Sequence, residues 1–362
     1  MENTNLETSL WSKIKWIISV YLEVIKSSSP RLKWGTALML ASLGSMPLTG
    51  LIIAVTLSPP YDLFGLELTK NTLSSTGFIL STFVCIFGAW LIWIDIKIDL
   101  NQARKTARVI ITGLPGMPTN FPDKILSKAE QVKAREPIEL SFQDADYKKQ
   151  VERYNAEVCV ELFKRFVLHH SCEKLYIGGL ARVPFLVSYG ALIRNASNIQ
   201  YFDKVHRDSA WQLLNDEDLD IQLHAIETIP QPNENGGIGI AIGFTSTINI
   251  NQLPEALQKS TAMLSPKVNP GKNLIMNQAN LQRISESLEK IISQFSSDPN
   301  TKKIHLFLSV QSTLAIEIGR KFQEGMHKVW VIHNFNAAEG LYDWSLELSK
   351  SGLTISNGKS ST

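Results

Sequence analysis

The side chains of this chain that can do chemistry are hydrogen-bond donors and cations, and none is an activated nucleophile. Ser309, Gln311 and Ser312 follow the apolar run K-I-H-L-F-L, and Asn334 and Asn336 follow V-W-V-I. Gly178, Gly179 and Arg182 follow L-Y-I, and Thr245 and Ser246 follow G-I-A-I-G. Lys272 lies in a connection rich in Pro, Gly, Asn and Lys. Each group stands where a buried strand gives way to a turn, which is where open α/β folds gather their functional groups. A glycine turn leading into a helix lets backbone N–H groups approach an anion. Arg182 and Lys272 add positive charge, and the Thr245 and Ser246 hydroxyls can bond a base edge or a sugar. Plainer roles stay open beside these, because glycines also close turns and Ser, Thr and Asn also cap them. There is no G-x-S-x-G, no H-E-x-x-H and no pair of carboxylates at strand ends. A dinucleotide fingerprint and a GxxxxGK[ST] loop are missing too. Catalytic and metal-ligating residues are therefore left unassigned, and no cofactor is expected. Cys172 follows His169 and His170 closely, but without a second ligand cluster. His305 reads as a packed core residue. The chemistry on offer is non-covalent recognition of a small anionic ligand.

The elements that must hold these residues are strands and helices in alternation. Residues 303–335 read as a buried strand, a polar turn, a helix with Leu314, Ile318 and Phe322 at helical spacing, and a second strand at Val329. A strand, a helix and a strand in this order form a parallel crossover unit. The same pattern recurs at an offset of about 130 residues. V-I-I-T-G ending at Gly113 falls on G-I-A-I-G ending at Gly243, and the helix of Tyr147, Val151 and Tyr154 falls on that of Leu281, Ile284 and Leu288. Gly190 falls near Gly319. The expected fold is α/β, with two tandem Rossmann-like halves at about 105–235 and 236–350 and a cleft where their strand ends meet. The long connections 114–146 and 245–276 read as ligand covers or disorder, and 351–362 as a disordered tail.

Ahead of this region the chain changes character. Residues 34–61 and 71–94 carry no charge, and each run is long enough to cross a bilayer core. Residues 1–30 form an amphipathic stripe suited to a membrane interface, so 31–98 is expected to be a two-helix transmembrane hairpin. Small residues recur every four positions at Ala37, Ala41, Ser45 and Thr49, and at Gly77, Ser81, Cys85 and Ala89. Either stripe can pair the two helices or face another subunit. Basic residues flank both spans on one side, while Lys70 is the one basic residue between them, which puts both termini in the cytoplasm. No charge lines either span, which excludes a selective transport pathway. A net charge of +2 from 36 basic and 34 acidic residues argues against DNA or RNA polymers as partners. Cys85, Cys159 and Cys172 form no CxxC pair and are expected as reduced thiols.

The duplicated unit, the I-H-L-F-L-S run with a helix ending near Gly319, and the strand around Tyr342, Trp344 and Leu346 resemble a SAVED domain. With two spans ahead of residues 99–362, the chain looks like the TM-SAVED effectors of bacterial CBASS anti-phage systems. That resemblance implies two fused CARF-like halves that bind a cyclic di- or trinucleotide made by a partner cyclic-oligonucleotide synthase. It further implies self-association on ligand binding and disruption of the inner membrane. The other readings are a membrane-anchored ring nuclease that cleaves such a ligand with Ser309 or Ser312, and a structural membrane protein with no ligand.

Overall fold

Backbone polar groups in an apolar run must be paired within the chain, and in the N-terminal region two helices do this. In a computed structural model the described residues are 29–45, 52–56, 65–69, 75–114, 120–141, 146–160, 172–205, 210–214, 221–226, 229–323 and 325–356. They belong to two units, Met1–Gln102 and Ala103–Thr362. Apart from Ser29 and Pro30, the expected interfacial helix over 1–30 lies outside the described residues.

In the first unit, α1 (Pro30–Ser45) starts on a proline at a helix's favoured first position and ends two residues before Pro47. Its 16 residues are about 24 Å long. The uncharged run 34–61 is therefore not one helix. Beyond Pro47 and Gly50 its β-branched segment is strand β1 (Ile52–Thr56), antiparallel to β2 (Gly65–Thr69) with Ile52 opposite Thr69. Helix α2 (Ser75–Arg104) follows, and its stretch Ile79–Arg104 is long and apolar enough to cross a membrane. Gly35 of α1 and Gly88 of α2 meet so closely that a Cβ on either would lie 2.9 or 2.8 Å from the other's carbonyl oxygen. Ser81 Oγ donates to the Ser42 carbonyl (2.8 Å), and Ser29 Oγ donates to Asp95 Oδ1 (2.6 Å). The α2 side of this antiparallel seam thus runs through Ser81, Gly88 and Asp95, every seventh residue. It does not follow the expected four-residue stripe, of which Ala89 is exposed. Leu80, Phe83, Ile86 and Trp93 are exposed on α2.

The second unit holds the repeat. Its first half comprises β3 (Thr106–Thr112), α3 (Lys128–Lys133), β4 (Ile138–Ser141), α4 (Tyr147–Val160), β5 (Lys174–Leu180), α5 (Val183–Leu192), β6 (Ile199–Val205) and β7 (Ala210–Leu213). Its second half comprises β8 (Gly237–Gly243), α6 (Glu255–Gln258), β9 (Thr261–Leu264), α7 (Gln278–Ser297), β10 (Lys303–Ser309), α8 (Ser312–Arg320), β11 (Val329–Asn336), β12 (Leu341–Ser349) and β13 (Gly352–Ser356). The sheets run β4-β3-β5-β6-β7 and β9-β8-β10-β11-β12-β13, one order used twice with a single strand added. The pairs within β4-β3-β5-β6 and β9-β8-β10-β11 are parallel, and β7 and β12 are antiparallel to their neighbours.

Two expectations are corrected here. Each long connection contains a short helix and an edge strand, α3 with β4 and α6 with β9, because its brief apolar run finds a free sheet edge next to β3 or β8. The chain from 351 is not all tail. Gly352, at φ +115°, allows the turn into β13, whose Leu353 is buried in the core.

The halves share one apolar core, and α5 and α8 form its axis. A Cβ on Gly190 would lie 2.1 Å from the Ile316 carbonyl oxygen, and one on Gly319 would lie 1.9 Å from that of Val187. The two glycines that correspond in the repeat therefore bring the helices into backbone contact near their C-terminal ends. Their N-terminal turns reach opposite halves: Arg182 at the head of α5 touches β12, and Gln311 at the head of α8 touches β6.

Candidate functional site

Where β8 and β10 end, Gly243 pairs with Ser309, and both Phe244 N and Thr245 N donate to the Ser309 carbonyl (2.8 and 2.9 Å). That turn sets three hydroxyls together. Ser309 Oγ lies 2.8 Å from Thr245 Oγ1 and 2.7 Å from Ser246 Oγ. Gly271 N donates to the Phe244 carbonyl (2.9 Å), which fixes the following connection beside the cluster and leaves the next residue, Lys272, exposed. Three hydroxyls, each able to donate and accept, with a lysine one residue from their anchor point, can bond a polyhydroxylated anion.

Arg182 caps α5 through its carbonyl, which accepts from Phe185 N (3.0 Å). Its guanidinium lies over the Trp344 ring at 5.7 Å. Tyr147 stacks parallel to the same indole at 4.8 Å, and Phe185 packs beside it. A bulge in the β11–β12 pairing, between Asn334 and Phe335, lies opposite this tryptophan. Bulges re-aim side chains in this way. The result is a half-buried aromatic face with a cation on it, joining α5 and α4 of one half to β12 of the other.

Gln311 has a different role from the expected ligand contact. Its amide oxygen accepts from Ile275 N (2.5 Å), and its amide nitrogen donates to the Ile275 carbonyl (3.2 Å) and to Asp203 Oδ2 (3.3 Å). It is a buried clamp with its capacity used. Asp203, at the end of β6, accepts further bonds from Lys204 N (2.8 Å) and Thr313 Oγ1 (3.5 Å). Burial pushes its carboxyl up to about 6, although those three bonds pull the other way.

Several expected positions are thus reassigned. Gly178 and Gly179 are not in a turn but inside β5, fully buried, where a Cβ would lie 2.2 Å from the carbonyl oxygen of Phe202 or Ile111. Their lack of a side chain lets neighbouring strands close up. Asn334 and Asn336 donate to Asp343 (3.5 and 3.1 Å) and hold the β11–β12 hairpin. Ser312 is buried in the first turn of α8. His305 is half-buried and shares a 2.9 Å bond with His333; burial lowers it to about 4, so it is neutral near pH 7. Among the described residues no group of three or more His, Cys, Asp or Glu is placed to hold a metal ion. Sequence reasoning missed Asp203, Tyr147 and the role of Trp344. The visible signal for the first was a lone carboxylate in the apolar run I-Q-Y-F-D.

No curated protein matches the chain. Among the solved structures that resemble it are three of Cap4 receptors. They are the Acinetobacter baumannii Cap4 SAVED/CARF-domain containing receptor with the cyclic trinucleotide 3'3'3'-cAAA (15% identity, 76% of this chain, TM-score 0.46), the same receptor with 2'3'3'-cAAA (13%, 78%, 0.43), and the Moraxella osloensis Cap4 receptor (10%, 79%, 0.41). This chain spans 60%, 59% and 61% of those chains respectively. Residues 161–348 match the family described as SMODS-associated and fused to various effectors sensor domain. That match covers more than half of the 362 residues and takes in β5, both axial helices and nearly all of β12, so the chain belongs to the SAVED family.

Proposed function

We propose that the chain is a membrane-anchored sensor that binds a cyclic di- or trinucleotide where its two SAVED halves meet. The observation that carries this reading is the pseudo-symmetric placement of the α5 and α8 N-termini on opposite halves, with the Ser309 hydroxyl cluster at the end of β10 and Arg182, on Trp344, just after β5. A ring-shaped polyanion made of repeated units suits a duplicated site of this kind. Arg182 and Lys272 take phosphates, while Thr245, Ser246 and Ser309 take ribose or base edges. Ser309 is bonded to two hydroxyls rather than to a base, which favours binding over cleavage.

In this reading α1 and α2 form a two-span anchor in the cell membrane of a bacterium, with both termini in the cytoplasm. Ligand binding draws SAVED domains together, and the concentrated hairpins breach the bilayer to abort phage infection. A cyclic-oligonucleotide synthase supplies the ligand. Titrating the full chain in nanodiscs with a panel of cyclic di- and trinucleotides by calorimetry tests the sensor, with chromatography of the ligand afterwards. One member of the panel should bind and be recovered intact. Linear products would replace the sensor with a ring nuclease, and no binding by any member would remove the reading.

A further inference from the structure

Cations and tryptophans crowd one end of the α1–α2 pair, and the contacts between the two helices set their level. Ser29 meets Asp95 at that end, Gly35 meets Gly88 further in, and Ser42 meets Ser81 further still. Arg31, Lys33 and Trp34 therefore share a level with Trp90 and Trp93, because each group lies between the first two contacts. The stretch from Gly88 to Asp95 is about 10 Å of helix, and Lys97 stands half a turn beyond it. Trp34, Trp90 and Trp93 are 63%, 50% and 56% exposed, and Arg31, Lys33 and Lys97 are exposed as well. Lys97 Nζ lies 4.9 Å from the centre of the Trp93 ring, one turn back on α2. Inward of this band both helices are uncharged, over residues 34–45 and 75–87.

Indole rings at one level, ammonium groups reaching outward along them and uncharged helix below are the layout of a membrane–water boundary. The local charge decides which lipid fits it. Asp95 is buried and accepts from Ser29 Oγ (2.6 Å), so its carboxylate is withdrawn from the surface. Among the described residues at this end of the pair, Asp99 is the exposed acid, set against three exposed cations. The band is therefore positive. A zwitterionic headgroup carries a cation of its own, which that charge repels, whereas an acidic headgroup offers its phosphate without one.

We infer that this band is a binding surface for the headgroups of acidic phospholipids, with Arg31, Lys33 and Lys97 as the phosphate contacts. It rests on the reading of α1 and α2 as a membrane anchor. The experiment places the full chain in vesicles of phosphatidylcholine and phosphatidylglycerol, with bromine on the acyl chains of one lipid at a time. Brominated lipid quenches the tryptophans it touches, so fluorescence reports which lipid lies against the band. The parent should prefer phosphatidylglycerol about threefold or more, since one cation at an anionic surface contributes up to about fivefold. Lys33→Gln combined with Lys97→Gln leaves every tryptophan and the Ser29, Gly35 and Ser42 contacts in place, and should cut that preference by at least about half. Salt at about 0.5 M should reduce it in the parent as well. Equal quenching by the two lipids in the parent would overturn the inference, and so would a preference unchanged in the double variant. Quenching by neither lipid would remove the membrane anchor itself, and the inference with it.

Discussion

Asp203 illustrates how one residue's environment reverses its usual behaviour. An exposed aspartate titrates near 3.9, whereas burial raises Asp203 to about 6 in the fold. The folded state therefore binds its proton more tightly than the unfolded chain does. Its contribution is fully favourable below about pH 4, declines as pH rises towards 6, and is lost above that. Two units correspond to roughly 2–3 kcal/mol. Urea unfolding between pH 4 and 7 should show a fall in stability that is shallower in Asp203→Asn than in the parent. Equal slopes would show that Asp203 is ionised throughout. Arg182 gives a second prediction. If Arg182 holds a phosphate, Arg182→Ala should weaken cyclic nucleotide binding about ten- to a hundredfold, since such bonds contribute roughly 1.5–3 kcal/mol. Ser309→Ala should cost about 1 kcal/mol. Calorimetry on folded variants decides both, and unchanged affinity in Arg182→Ala would move the site. Arg182 and the hydroxyls of Thr245, Ser246 and Ser309 were readable as strand-end polar residues. Gln311 was readable only as polar, because its partners Ile275 and Asp203 come from distant parts of the chain.

At the level of elements, the repeat was legible because strand and helix periods survive low identity. The offset that aligned Gly190 with Gly319 also aligned β5 with β10 and β6 with β11. The purpose of those glycines was not legible, since a glycine in a helix reads as a weak point until the partner helix is placed. In the fold each admits the other helix's backbone. Gly319→Ala should destabilise by roughly 1–3 kcal/mol or more, because the atom in the way is a carbonyl that cannot rotate aside. Gly325→Ala is a control of a different kind: its surroundings are open, and only its φ of +85° opposes the change. Chemical denaturation of the two variants should rank Gly319→Ala as the more damaging. The reverse order would mean that α5 and α8 can separate cheaply. The short strands β4 and β9 escaped notice because four residues carry too little pattern to stand out within a long connection.

For the whole molecule, the proposed function routes ligand binding in the SAVED unit to the membrane through α1 and α2. Gly35 and Gly88 seat α1 on α2, which gives the hairpin its own small-residue seam. In that proposal the exposed apolar residues of α2, among them Phe83, Ile86 and Trp93, face lipid or other subunits. Gly88→Leu should push the helices apart and reduce ligand-triggered leakage from liposomes, while cyclic nucleotide affinity in the same protein stays within twofold of the parent. Leakage equal to the parent's would show that the seam has no part in the output.

By itself the sequence determined the α/β class, the duplication, the apolar N-terminal region and the resemblance that the family match supports. These depend on local periodicity and on runs of one residue character, which survive without knowledge of neighbours. Tertiary structure alone decided which polar residues remain available. Gly178 and Gly179 sit within a sheet, and Asn334 and Asn336 serve a hairpin. Glu317 and Tyr201, 116 positions apart, form one buried cluster with Arg320. The reason is that a side chain's hydrogen-bonding capacity is consumed or spared by whatever packs against it. In a fold built from two halves, that partner can come from the other half, as Asp203 does for Gln311 and Tyr201 for Glu317.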